Sequence, residues 1–267
     1  MSTATSTTRP LTIDGIGDVE VTVTDRGTGH PFLLLHGGGG PATVTPWADR
    51  LAEAEHARVI TPVHPGFNGT PRPDALNSPR GLAVVYTELL EALGLGDVTV
   101  IGNSIGGWIA AEMAVLGSSR VSSYILVDAV GIEVPDHPVP DFFSLTPAEV
   151  AQRSYYDPAR FGIDPAALPP AAQAAMAGNR ATLAVYGGNG MADPTLAPRL
   201  GAVRTPALVA WGEADRIGDP DFGRAFAAAI PGAEFRLLEH AGHLPQIETP
   251  GVLVDVVWSF ADAHAAG

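Results

Sequence analysis

Residues 98–108, Val-Thr-Val-Ile-Gly-Asn-Ser-Ile-Gly-Gly-Trp, constrain this chain more than any other stretch. An apolar, β-branched run breaks at Gly102 into Gly-Asn-Ser-Ile-Gly, and a helix-compatible run from Trp108 to Leu116 follows. A strand before and a helix after turn these five residues into a tight corner with Ser104 at its apex. The first amides of the helix face a group placed there, and their partial positive charge favours an anion. Gly102 and Gly106 let the two arms of the corner approach without Cβ clashes. In a chain with 31 glycines the pattern also arises by chance, so the alternative is an ordinary glycine-rich turn. The strand-to-helix context separates the two, and Ser104 is expected to be a nucleophile.

Composition narrows the class. A chain of 267 residues with 46% hydrophobic and 16% charged residues can bury one large core, with or without an insertion. Its formal net charge of −14 argues against nucleic acid or an anionic membrane as partner and does nothing to recruit an anionic substrate; a solvated acidic surface is the plainer reading. With no cysteine there is no disulfide, no thiol nucleophile and no zinc–thiolate site, and no metal or cofactor is expected. Met1 to Pro10 is a Ser/Thr-rich polar stretch without an apolar h-region, and is expected as a flexible tail rather than a signal peptide. No apolar run has the length of a membrane span, so a cytoplasmic enzyme is expected; the oligomeric state stays open.

Along the chain, Leu11–Asp14 and Val19–Thr24 alternate around a Gly-Ile-Gly-Asp turn and read as a hairpin at a sheet edge. Pro31–Leu35 and Arg58–Val63 are apolar runs of the kind buried on both faces. Helical spacing follows over Trp47–Glu55 and Leu82–Leu93. After the elbow come a strand at Val121–Val127, a strand at Ala207–Trp211, a helix at Asp221–Ile230, a strand at Ala233–Leu238 and a helix at Gly251–Ala263. Repeated β–α units predict an α/β fold with a mostly parallel, doubly covered sheet, although the strand order is not readable. The alternation breaks over 131–200, a Pro- and Ala-rich stretch with helical pieces at Pro147–Ser154 and Ala166–Met176. The expected organisation is a core of 11–130 and 201–267 with a helical cap of 131–200 between two strands.

A serine hydroxyl needs a base within hydrogen-bond reach, itself oriented by an acid. Such groups belong at strand ends on the same sheet edge as Ser104. Asp215 follows one predicted strand in Gly-Glu-Ala-Asp-Arg, and His243 follows the next in Glu-His-Ala-Gly-His. Asp215 could instead cap the following helix, Asp128 also follows a strand, and His240 competes with His243.

The order Ser104, Asp215, His243, with the His-Gly-Gly-Gly turn at 36–39, Gly-Asn-Ser-Ile-Gly-Gly at 102–107 and Ala-Gly-His at 241–243, resembles the α/β-hydrolase-fold serine hydrolases. The likeness spans about Leu11 to Ala263. It implies Ser104 as nucleophile, His243 as general base and then acid, and Asp215 as the group holding the imidazole. It also implies an oxyanion hole from the amide of Ile105 and one in the glycine turn, at Gly38 with Gly39 as the alternative. His36 would brace that turn. A phosphate cradle is the other use of a glycine run, but the Lys-Ser/Thr of a P-loop is missing. His64, where many relatives have aspartate, is expected to pack a loop.

The expected activity is hydrolysis of a small or medium carboxylic ester, or a lactone, through an acyl-enzyme and without a cofactor. The glycine-rich entrance and Gly-Asn-Ser also resemble hydrolases that cleave carbon–carbon bonds of dienoic diketo acids. Those enzymes typically carry tryptophan directly after the histidine, where this chain has Leu244. A lid arginine for a substrate carboxylate could come from Arg153, Arg160 or Arg180. Serine in place of a nucleophilic aspartate disfavours the related epoxide hydrolases and dehalogenases. A lyase or perhydrolase on the same scaffold, and a ligand-binding protein with little turnover, are the remaining alternatives. Trp108, Phe142, Phe143, Tyr186 and Leu244 are the substrate-lining candidates, with Tyr155, Tyr156 and Phe161 as further aromatics; packing against the core is the other use of such side chains.

Overall fold

In the computed structural model of the chain, which describes residues 4–53, 57–188 and 190–265, eight strands make one sheet in the order β1-β2-β4-β3-β5-β6-β7-β8. The strands are β1 (Thr5–Ile13), β2 (Gly17–Gly27), β3 (His30–Leu35), β4 (Ala57–Pro62), β5 (Val98–Asn103), β6 (Val121–Val127), β7 (Ala207–Gly212) and β8 (Glu234–Leu238). The hairpin of β1 and β2 joins antiparallel to β4, and every pair from β4 to β8 is parallel. The mostly parallel α/β sheet expected from the repeated units is therefore present.

Alternation along the buried strands places side chains on opposite faces. Leu33, Leu35, Val98, Val100, Val209 and Trp211 point to a core shared with α2 (Pro79–Ala92), α3 (Ile105–Leu116) and α8 (Pro220–Ala228). Phe32, Leu34, Ile101, Ile125, Leu208 and Ala210 point to a second core under α1 (Thr45–Glu53) and α10 (Pro250–His264). The sheet is covered on both sides, so every strand between β3 and β7 must be apolar on both faces.

Three boundaries differ most from the sequence reading, one being the helical piece expected over Ala166–Met176, which begins only at Pro170, after a separate short turn at Pro165–Ala167, and runs on to Gly187. Residues 5–10, expected as a polar tail, form most of β1, paired in register from Thr5 opposite Asp25 to Ile13 opposite Gly17. The signal was missed because this is an edge strand with exposed Thr and Ser side chains: β-branched residues and backbone pairing hold it, not apolar alternation. Pro10 is tolerated because β1 has only one neighbour. Residues 1–3 of the expected tail and 54–55 of the expected helix at 47–55 lie outside the described residues. Helix α2 begins three residues earlier than the apolar spacing suggests, at Pro79, because Ser78 caps it by accepting from the Gly81 amide.

The 131–200 stretch carries α4 (Pro147–Ser154), α5 (Pro158–Phe161), α6 (Pro170–Gly187) and α7 (Leu196–Leu200), and among its described residues no strand. Its ties run to loops at the carboxyl ends of the parallel strands. Asn179 of α6 donates to Gly39 O at 3.2 Å, Thr182 donates to Gly66 O at 2.9 Å, and Tyr186 donates to Pro65 O at 2.8 Å. The Arg153 and Ser154 carbonyls accept from the amides of Arg216 (2.9 Å) and His243 (2.7 Å). The buried carboxylate of Glu112 on α3 holds α7 through a bidentate pair with Arg199, at 2.6 and 2.7 Å. Among the described residues no helix is long and apolar enough to cross a membrane.

Candidate active site

Ser104 sits between β5 and α3 with φ 57° and ψ −119°, a left-handed backbone that costs a non-glycine residue energy. The corner survives because its surroundings over-determine it. Ser104 N donates to Val127 O at 3.0 Å, and Ser104 O accepts from the Trp108 amide at 3.1 Å. The packing is backbone on backbone: a Cβ on Gly102 would lie 2.0 Å from Gly106 O, and one on Gly106 would lie 2.3 Å from Leu35 O. The serine is 9% exposed, and its side chain makes no cap to the helix behind it, which leaves the hydroxyl available.

Asp215 and His243 stand on the loops after β7 and β8. Asp215 Oδ1 accepts from the amides of Ile217 (2.7 Å) and Gly218 (3.3 Å), and its Oδ2 accepts from His243 Nδ1 at 2.7 Å. That bond fixes the imidazole tautomer and leaves Nε2 as the free acceptor. Asp215 organises its own turn, but the cap of α8 is Asp219, so the helix-cap alternative does not apply. His240 is excluded as the partner: its side chain is 70% exposed and faces Glu213 and the Tyr156 ring. Asp128, Asp215 and His243 place one ligand-capable atom each within 4.8 Å of one another. A cation between Asp215 and His243 would have to break their 2.7 Å hydrogen bond.

Three residues tie the site together, of which Gln246 and Glu248 carried no motif. Asn103 Nδ2 donates to His243 O at 3.0 Å and to Val127 O at 3.2 Å, while its Oδ1 accepts from Gln246 Nε2 at 3.0 Å. The residue before the serine thus ties the elbow to the histidine loop. Glu248 accepts from the amides of Gly242 (2.7 Å), Tyr156 (3.1 Å) and Asp157 (3.1 Å), joining the histidine loop to the insertion. Asn in Gly-Asn-Ser was visible in the sequence, but its partners lie 24 and 140 residues away.

The glycine turn is a hydrogen-bonded corner, Gly40 N to Gly37 O at 3.0 Å. A Cβ on Gly37 would come within 3.3 Å of Ser104 Cβ, and one on Gly38 would collide with Leu183 of α6 at 2.5 Å. The turn therefore lies against the serine on one side and under α6 on the other. Ile105 is the first residue of α3, where amides have no intrahelical acceptor, and the Gly38 amide has none among the described residues.

His36 and His64 hold this turn from behind as neutral rings. His36 Nδ1–H donates to Gly37 O (2.8 Å), and its Nε2 accepts from the His64 amide (3.1 Å). His64 Nε2–H donates to His36 O (2.9 Å), and its Nδ1 accepts from Tyr86 Oη (2.5 Å). The rings lie against each other with centroids 3.7 Å apart, their planes tilted by 32°. Burial lowers His36 to about 4 and drives His64 well below its ordinary value, the neighbouring His36 adding to the effect. A proton on His36 Nε2 would face the N–H it now accepts. Because the folded-state value lies below the unfolded one, His36 contributes stability that is full above about pH 6.5, drains away as pH falls, and is lost below about pH 4. The expected size is about 3 kcal/mol for His36 alone. Urea denaturation at pH 7 and pH 4.5 checks it, and His36→Gln should reduce the difference by about that amount while His64 keeps its own share.

The substrate-lining candidates divide. Trp108 is buried on α3 with its ring against Gly131, and its indole N–H has no acceptor among the described residues. Tyr186 is buried, stacks on Phe67 and spends its hydroxyl on Pro65, which is a packing role. Phe142 and Phe143 are gripped by Arg180, whose guanidinium lies over both rings and donates to the carbonyls of Phe142, Phe143 and Leu145. Arg180 is thereby engaged within the insertion. Leu244 follows His243 directly and is half-buried.

Residues 32–256 match the model of the alpha/beta hydrolase family. The chain belongs to that family. It is 26% identical to the 2-hydroxy-6-oxo-6-(2'-aminophenyl)hexa-2,4-dienoic acid hydrolase of Metapseudomonas resinovorans, over 93% of this chain and 90% of that one. It is 37% identical to the 2-hydroxy-6-oxo-2,4-heptadienoate hydrolase of Pseudomonas putida, over 43% of each chain. A thermophilic esterase of Thermogutta terrifontis superposes with a TM-score of 0.78 at 23% identity, covering 97% of this chain and 100% of that one, a likeness of fold. The α/β-hydrolase fold expected from the elbow and the strand-end residues is thus the fold of this chain.

Proposed function

We propose that this member of the alpha/beta hydrolase family is a serine hydrolase of small or medium carboxylic esters, lactones included. The observation that carries the reading is the buried 2.7 Å bond from His243 to Asp215, joined through Asn103 to a serine held in a strained elbow. His243 Nε2 takes the Ser104 proton as Oγ attacks the carbonyl carbon. The Ile105 and Gly38 amides bind the tetrahedral oxyanion, where fixed dipoles act at no reorganisation cost. His243 then protonates the leaving alcohol, and water activated by the same ring releases the acid from the acyl-enzyme. The 131–200 insertion serves as the cap over this site, a role supported by its hydrogen bonds to four of the surrounding loops.

A second reading, carbon–carbon hydrolysis of a dienoic diketo acid on the same triad, is favoured by the full-length similarity to the Metapseudomonas enzyme. Leu244 after the histidine and the engagement of Arg180 within the insertion favour the ester. A fluorophosphonate probe should label wild type at Ser104, and p-nitrophenyl acetate and butyrate should turn over faster than a 2-hydroxy-6-oxo-dienoate. The reverse order of rates would promote the second reading. No labelling by the probe or by a smaller organophosphate would bring forward a binding protein that keeps the fold.

A further inference from the structure

Behind the His243–Asp215 pair lies a second carboxyl group. Asp128 follows β6 in the left-handed region, at φ 46°, and is fully buried, as Asp215 is to within 1% exposure. Its amide donates to Ala210 O at 3.0 Å, and its Oδ1 accepts from the Gly212 amide at 2.8 Å. Its Oδ2 is buried and receives no donor from any described residue. Nearby stand Asp215 on the loop after β7, His243 on the loop after β8 and Glu248 on α9 (Pro245–Glu248), so most of the surrounding charge is negative.

Two carboxyl groups this close and this dry do not both ionise. Asp215 has three donors, two amides and the imidazole, and keeps the charge. Asp128 has one amide and a bare oxygen. A proton on that oxygen removes the unpaired acceptor and supplies a hydrogen bond to the neighbouring carboxylate. We infer that Asp128 is a positioning residue of the site: held as the neutral acid, it donates its proton in a hydrogen bond to Asp215, fixing the direction and moderating the charge of the carboxylate that orients His243. Burial and the Asp215 charge both push the Asp128 carboxyl well above the usual range, in the same direction.

The inference rests on the triad reading above, and its test separates the two. Infrared difference spectra of wild type against Asp128→Asn in D₂O at pH 7 should show one protonated-carboxyl C=O band that the variant lacks. This readout needs no turnover. In pH profiles of kcat/KM for p-nitrophenyl acetate, Asp128→Asn, which keeps both the acceptor for Gly212 and a donor for Asp215, should overlay wild type within a few-fold in rate. Asp128→Ala leaves the full Asp215 charge on the imidazole, so its acid limb should move up by about one pH unit. Absence of the infrared band would overturn the inference. So would an acid limb that moves as far in Asp128→Asn as in Asp128→Ala, or one that moves in neither. A band present in a wild type without esterase activity would keep the protonated Asp128 and discard the ester reading.

Discussion

Ser104→Ala is expected to lower kcat/KM for p-nitrophenyl acetate by about 10⁵-fold, because the nucleophile and its base act as one unit. What remains should be the slow attack of water in a site that still binds the ester and still holds an oxyanion hole. Folding should be almost untouched. The Ser104 side chain makes no cap to α3, and alanine occupies the same φ of 57° at the same cost, so the change in stability should stay within about 0.5 kcal/mol. Steady-state kinetics with urea denaturation of the same preparations checks both halves. A variant active within tenfold of wild type would move the nucleophile elsewhere. A variant that is inactive and unfolded would show that the elbow needs the hydroxyl structurally, against the geometry described.

Gly106→Ala should be among the most damaging small substitutions in the core of the molecule, as Gly102→Ala should be, costing at least about 3 kcal/mol. The added methyl carbon would sit 2.3 Å from Leu35 O and 2.7 Å from His36 O. Both are backbone atoms at the end of a central strand, so no rotamer change relieves the clash. Helix α3 or β3 must shift, and the glycine turn shifts with it. Activity should therefore fall further than the folded fraction does. Gly178→Ala is the matched control: this glycine lies in α6 (Pro170–Gly187), exposed, with nothing within 4 Å of the added carbon. It should stabilise by about 0.5–1 kcal/mol through the unfolded chain. Urea midpoints of the two variants should move in opposite directions. A Gly106→Ala cost under about 1 kcal/mol would contradict the backbone packing of the elbow.

The strand–turn–helix corner, the apolar strands and the chemistry-bearing residues at strand ends were legible because each is a local requirement. Buried parallel strands must be apolar on both faces, and tight corners must place glycine where backbones touch. The sequence also favoured His243, inside the Gly-His loop, over His240 close to the strand end, and it is His243 that the structure places against Asp215. The first part of the edge strand β1, residues 5–10, was not legible, since its threonines and serine carry no apolar alternation and only pairing with β2 makes it sheet.

Other features belong to the tertiary structure. Sheet order puts the end of β6 beside the end of β7, and so brings Asp128 against the Asp215 turn 87 residues on. From the sequence both were acids after strands. Which one carries the charge depends on how many donors reach each, and in what dielectric. The same holds for His36 and His64, whose neutral rings follow from a burial and a set of partners that span 50 residues of chain, from His36 to Tyr86. Residue type and strand-end position are properties of a few neighbouring residues, and the sequence by itself determined them. Protonation, partner and orientation are set by groups that only the folded sheet brings within hydrogen-bond distance, and these the tertiary structure decided.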